Sequence, residues 1–221
     1  DNYKLQDAVK LAEKNNLDGK ICMITNGDGG DIRRLDDLAS VIEAKGGKII
    51  RGEPTDLNPE EKNVDLYIHF TGNIPNFSKL TELTRYEWDE LVTNFITEPA
   101  MVARQAISTF VPEGDIDPRA FKDAKGRIII IGPALPAGKK ISGHERAKVE
   151  VFRGALRPFA TTVNQELSDV LKSNIRVFLI LPGTVDGKEP NNENAVNAIN
   201  YLISDESQSS SEVIFCPDET R

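Results

Sequence analysis

Short apolar runs alternate with longer amphipathic segments along most of the 221-residue chain. The sharpest run is GRIIIIGP, residues 126 to 133, where four consecutive isoleucines stand between a glycine and Gly-Pro. It is too short for a typical helix and too apolar for a surface strand, which predicts a central strand buried on both faces of a parallel sheet. The same reasoning predicts strands over residues 21–25, 48–50, 64–70, 175–181 and 213–216. Between them, residues 33–45 carry Leu35, Leu38, Ala39 and Ile42 on one helical face and close at Gly46-Gly47. Residues 88–106 keep a helical period despite Pro99, and Ile107 extends it. Helices are also predicted over 147–171 and 194–203. Strands and helices alternating at this rhythm imply an α/β fold with a doubly wound parallel sheet, Rossmann-like and a single domain over residues 17–221. Residues 1–16, with Leu5, Ala8, Val9 and Ala12 at helical spacing, read as an N-terminal helix or lead-in.

In the long helix the apolar residues Val151, Ala155, Phe159, Val163 and Leu167 recur every four positions and are assigned to the sheet. Val149, Phe152 and Leu156 lie beside that stripe and are expected to face outward as an interface. The competing expectation is a helix buried entirely in its own core.

A formal net charge of −8 and the lack of a Lys/Arg stripe argue against nucleic acid and against an anionic membrane surface. Cys22 and Cys216 lie far apart inside apolar runs, matching neither a disulfide framework nor a metal knuckle, so they read as reduced core residues of a cytoplasmic protein. No window is apolar enough to span a membrane. The chain begins at Asp1, which suggests trimming or excision from something longer.

Open parallel sheets carry their chemistry just beyond the carboxyl ends of the strands, so a reacting side chain is expected immediately after Ile131. Gly132-Pro133 stands there instead, and neither residue can accept a proton or polarise a carbonyl.

In order and spacing these motifs resemble the short-chain dehydrogenase/reductase superfamily, over almost the whole chain from Leu17 to Glu219. LDGKICMIT is similar to its first strand, VDLYIHFTG to the strand ending in Asn-Asn-Ala-Gly, WDELVTNF to the helix with its structural Asn, GRIIIIGP to the strand delivering the catalytic Ser, and NIRVFLILPGTV to the strand ending in Pro-Gly. The resemblance implies an NAD(P) site at a T-G-x-x-x-G-x-G turn. Here Thr25, Gly27 and Gly30 stand in that turn, while Asn26 and Ile32 replace its outer glycines. Asp28 and Asp31 add negative charge beside the phosphate position. Of Asn-Asn-Ala-Gly only Gly72 survives, in His69-Phe70-Thr71-Gly72. Asn94 stands one residue short of the usual spacing for the structural Asn. Pro133 occupies the Ser position, and no tyrosine lies between Tyr86 and Tyr201. The substitutes for Tyr-x-x-x-Lys are Ser142 with Arg146, or His144 with Lys148, and either pair also reads as a solvated helix start. The substrate-covering lid that normally follows Pro-Gly is missing as well.

Two readings follow. In the first the chain is a non-catalytic subunit or domain, with no metal and no cofactor expected, that stabilises an active NAD(P)-dependent reductase or dehydrogenase of an acyl thioester pathway. It would do so as a homo- or hetero-oligomer with an active paralogue through helices 88–110 and 147–171. In the second it is an oxidoreductase with an atypical site, using His144 or Ser142 for the tyrosine and Arg51 for an NADP 2′-phosphate. A different small ligand lined by His69, Asn73 and Asn94 is a further possibility.

Overall fold

The structure is a computed structural model that describes residues 17–27, 32–52, 64–72, 74, 79–111, 121–122, 124–133, 143–182, 198–199 and 213–216. Six parallel strands form one sheet in the order β2-β1-β3-β4-β5-β6: β1 (Ile21–Asn26), β2 (Lys48–Arg51), β3 (Leu66–Phe70), β4 (Lys125–Ile131), β5 (Asn174–Pro182) and β6 (Val213–Cys216). The isoleucine run is central as its composition requires. β4 pairs with β3 on one side and β5 on the other. Ile129 and Ile131 face helix α1 (Ile32–Ala44) through Leu35, Leu38, Ala39 and Ile42, with Ile199 joining them. Ile128 and Ile130 face the opposite layer, through Ala103, Ala106, Leu156 and Ala160.

That opposite layer is two long helices. The first begins at Thr84, whose hydroxyl accepts from the Glu87 backbone N–H while the Glu87 carboxylate accepts from the Thr84 N–H, a capping box readable as Thr-x-x-Glu. It runs as α2 (Arg85–Val92), a π-helical segment (Thr93–Thr97) and α3 (Glu98–Thr109). The widened turn explains how the helical period survives Pro99, which falls where α3 restarts. The second helix is α4 (Gly143–Gln165), continued by a π segment (Glu166–Val170). Asn164 on α4 stands in for a neighbouring strand: its amide donates to the Val177 carbonyl and its oxygen accepts from the Val177 N–H, at a point on β5 before β6 begins to pair.

The face expected for α4 is corrected. Val149, Phe152 and Leu156 are buried, whereas Val151 is 43% exposed. Positions repeating every four residues advance by about 40° per step on a 3.6-residue helix, so the stripe from Val151 to Leu167 winds around the cylinder instead of holding one face. The buried set steps by threes and fours, through Val149, Phe152, Leu156, Ala160, Asn164 and Leu167. Phe152 packs against Trp88 and Phe95 at ring-centroid distances of 5.7 and 5.6 Å, in a small cluster with Leu91 that Ile74, just past β3, helps to enclose. It is a core residue joining the two helices. The helix expected over 194–203 is described only at 198 and 199, both helical, and the N-terminal helix lies outside the described residues.

Phe152→Ala should therefore lower unfolding stability by about 3–5 kcal/mol, and Phe152→Glu should prevent folding. Val151→Glu should change stability by less than about 0.5 kcal/mol. Urea unfolding followed by far-ultraviolet circular dichroism checks all three. Equal effects at the two neighbouring positions would overturn this assignment of faces.

Candidate functional site

The sheet progresses outward in one direction from β1 to β2 and in the other from β1 to β3, so the carboxyl ends of β1 and β3 flank the point where α/β sheets bind ligands. Thr25 and His69 are in register there, and side chains alternate along a strand, so both lie on the face beneath α3 and α4. Thr25 Oγ1 and His69 Nδ1 are 2.8 Å apart and fully enclosed. Burial holds the His69 pKa down to about 4, so the ring is neutral near pH 7. Its Nε2 and the Thr71 hydroxyl are buried without hydrogen-bond partners. This pair ties the first turn to the end of β3 and leaves one unmatched polar atom on each of His69 and Thr71.

Gly27 follows β1 and donates its N–H to the Phe70 carbonyl. A Cβ on Gly27 would sit 3.2 Å from Glu98 Oε2 and 3.2 Å from the Thr71 carbonyl oxygen, so the end of β1 is closely approached by a carboxylate and by neighbouring backbone. Gly72 turns the chain after β3 at φ 85°, a conformation that favours glycine. Asn26 ends β1, and Ile32 is the first residue of α1. Gly30, Asp28, Asp31 and Asn73 lie outside the described residues. Arg51, at the end of β2, pairs with Asp36 of α1 at 2.6 Å, both side chains about half exposed. Asn94 falls inside the π segment.

At the end of β4, a Cβ on Gly132 would lie 2.8 Å from Leu181 Cδ2, so the Leu181 side chain would have to shift to admit one. Pro133 is buried, and its carbonyl accepts from Arg153 Nε at 3.0 Å. The same guanidinium donates through Nη2 to the Pro182 carbonyl at the end of β5, and Nη1 lies 3.6 Å from the Glu150 carboxylate. Arg153, only 5% exposed, thus ties the carboxyl ends of β4 and β5 together. Of the two pairs considered for Tyr-x-x-x-Lys, Ser142 lies outside the described residues and Arg146 is exposed. His144 falls in the first turn of α4, its side chain outside the described atoms, and Lys148 is 2% exposed. A solvated helix start is therefore wrong for Lys148, whose charge helps hold the Glu87 carboxyl low, after the larger effect of the Thr84 hydrogen bonds. Glu98 and Arg153 were missed by sequence reasoning. Arg153 was legible as a charge beside Val149, Phe152 and Leu156 on one helical face, whereas nothing local in Thr-Glu-Pro points to Glu98.

Because the unfolded chain takes up a proton near pH 6.5 that folded His69 refuses until about pH 4, stability should fall as pH drops through that window, by about 3 kcal/mol, and gain nothing from this residue above it. His69→Asn should lose that slope. Urea midpoints at both ends of the window check this, and equal pH dependence in the two proteins would show that the ring is not held neutral.

No protein-family profile and no curated protein matches the chain. Solved structures do. A 3-ketoacyl-(acyl-carrier-protein) reductase from Brucella melitensis, complexed with NADH, superposes with TM-score 0.65 at 14% identity, covering 91% of this chain and 98% of that one. A short chain dehydrogenase from Mycobacterium smegmatis gives TM-score 0.61 at 12% identity over 93% and 94% of the two chains. The bulky-bulky ketone specific alcohol dehydrogenase from Comamonas testosteroni gives 0.54 at 18% over 98% and 81%. Among the described residues no helix is long and apolar enough to cross a membrane. The chain has the fold of the short-chain dehydrogenases and reductases.

Proposed function

We propose that this protein is a non-catalytic member of the short-chain dehydrogenase/reductase superfamily, serving as a subunit or domain that stabilises an active NAD(P)-dependent reductase or dehydrogenase acting on acyl thioesters. The observation that carries the reading is the end of β4. Where the fold delivers its reacting side chain, Pro133 offers only a carbonyl, and Arg153 has taken that carbonyl and the one across the cleft at Pro182. Among the described residues at that strand end, neither Gly132 nor Pro133 carries a side chain that could move a proton to or from a substrate. On the cofactor side, the Glu98 carboxylate approaches Gly27 at the end of β1, and negative charge near the position a dinucleotide's diphosphate would take supports the reading. The acyl thioester assignment rests on the resemblance and on the activity named for the Brucella melitensis protein.

A partner surface is available on the outer faces of the two long helices. Val151, Gly154 and Pro158 are exposed on α4, with open space around the Gly154 Cβ position, and Met101 is exposed on α3. This face replaces the one built on Phe152, and an active paralogue or a second copy would cover it.

One observation favours the second reading, an oxidoreductase with an atypical site. Lys148 is buried four residues after His144, the spacing of Tyr-x-x-x-Lys, although Arg51 is engaged by Asp36 and not turned over to a 2′-phosphate alone.

Titration of NADH and NADPH should give no change in nicotinamide fluorescence and no thermal stabilisation of the wild-type protein. A ligand at a hundred times its dissociation constant would stabilise by about 2.7 kcal/mol, and that response would favour the second reading. Val151→Glu should abolish association with a partner or a second copy while leaving circular dichroism unchanged. A wild-type protein that sediments as a monomer both alone and with an active paralogue would remove the scaffold reading.

A further inference from the structure

Helix α4 carries a cation into the core at a place where two strands stop pairing. Arg153 lies four residues after Val149 and three before Leu156, and all three are buried, so its stem shares the inward face of the helix. At the carboxyl end of the β4–β5 ladder the Gly132 N–H donates to the Ile180 carbonyl. Two residues beyond the paired positions Ile131 and Ile180 stand Pro133 and Pro182, and a proline has no N–H to give the opposite strand. Both proline carbonyls meet Arg153 instead: Nε donates to Pro133 at 3.0 Å and Nη2 donates to Pro182. Nη1 lies 3.6 Å from the Glu150 carboxylate. Each of the three guanidinium nitrogens therefore has its own oxygen, on three different residues. This is the pattern of a planar fork with donors in fixed directions, which a compact ammonium cannot reproduce.

We propose that the ends of β4 and β5 form a binding site for planar guanidinium-type cations, and that Arg153 fills it from within the chain. Its acceptors are two backbone carbonyls at strand ends and one carboxylate, so they remain in place when the arginine stem is cut back. The Glu150 side chain is partly exposed, which opens that flank of the site to solvent. Without a cation the two carbonyls would be left facing a gap beside a carboxylate, and a small planar cation satisfies all three oxygens at once. The proposal is independent of whether the chain binds a dinucleotide or catalyses a reaction, because it concerns acceptors that the wild-type protein already uses.

Chemical rescue tests it. Arg153→Ala should unfold at a lower temperature than wild type, and millimolar guanidinium or methylguanidinium chloride should raise its midpoint in a saturable way, by roughly 3 °C or more beyond sodium chloride at matched ionic strength. Neither cation should raise the midpoint of the wild type, whose site is filled, and ammonium chloride should rescue no better than sodium chloride. Arg153→Lys keeps the charge and most of the stem but loses the fork, and should also unfold below the wild type. Nitrogen-15 NMR of the wild type adds a readout that holds even if Arg153→Ala does not fold. The Arg153 Nη protons should appear as separate, slowly exchanging signals, assigned by their loss in Arg153→Lys. A midpoint of Arg153→Ala that follows ionic strength alone, equal rescue by ammonium, an Arg153→Lys protein as stable as wild type, or averaged Nη signals in the wild type would each overturn the proposal.

Discussion

A parallel strand covered on both faces has nowhere to hold a polar side chain except at its ends, and this constraint governs the protein. β4 spends Ile128 to Ile131 on two opposing cores, one built on α1 and one on α3 and α4. Polar chemistry is therefore pushed to the row of residues at which the strands stop: Gly27, Thr71, Gly132 and Pro182. What stands over that row decides what the fold can do. Among the described residues, Glu98 stands against the end of β1 and Arg153 bridges the ends of β4 and β5.

Burying the Arg153 guanidinium is costly in itself, because a charge loses its hydration and regains it only through well-placed partners. Its neighbourhood supplies two carbonyls from strand ends and the Glu150 carboxylate. One carbonyl ends β5 and the other lies two residues past β4, so one arginine supplies donors at two strand ends. The Asn164 amide does the same for Val177 at the flank of β5. In both cases α4 satisfies backbone groups that the sheet leaves open. A buried polar residue on that helix serves the strands more than it serves a substrate.

The layers of the fold were legible because they follow from periodicity. The strands were each placed to within about two residues, and the isoleucine run fell at the centre of the sheet. The face of α4 was misread because a fixed step of four was taken as a stripe, when only a mixture of threes and fours keeps to one side of a 3.6-residue helix. Thr25 lies near the carboxyl end of β1, and Gly72 and Pro133 lie just past the ends of β3 and β4. Glu98 and the Thr25–His69 contact were not legible. They join segments more than forty residues apart, and the register that brings Glu98 to Gly27 depends on a π segment whose sequence, TNFIT, reads as ordinary helix.

Closing strand ends with one's own side chains has a consequence that runs opposite to catalysis. An active site keeps donors, acceptors and charges unpaired until substrate arrives, and such groups destabilise the fold that carries them. In the proposed non-catalytic reading, a proline and a buried arginine stand in their place, and the arginine satisfies the backbone carbonyls there without a ligand. His69 and Thr71 still carry unmatched buried atoms, so the closure is incomplete on the β1 and β3 side of the crevice. The two halves of the row therefore differ: at the β4 and β5 ends Arg153 satisfies two carbonyls, and at the β3 end two buried polar atoms stay without hydrogen-bond partners.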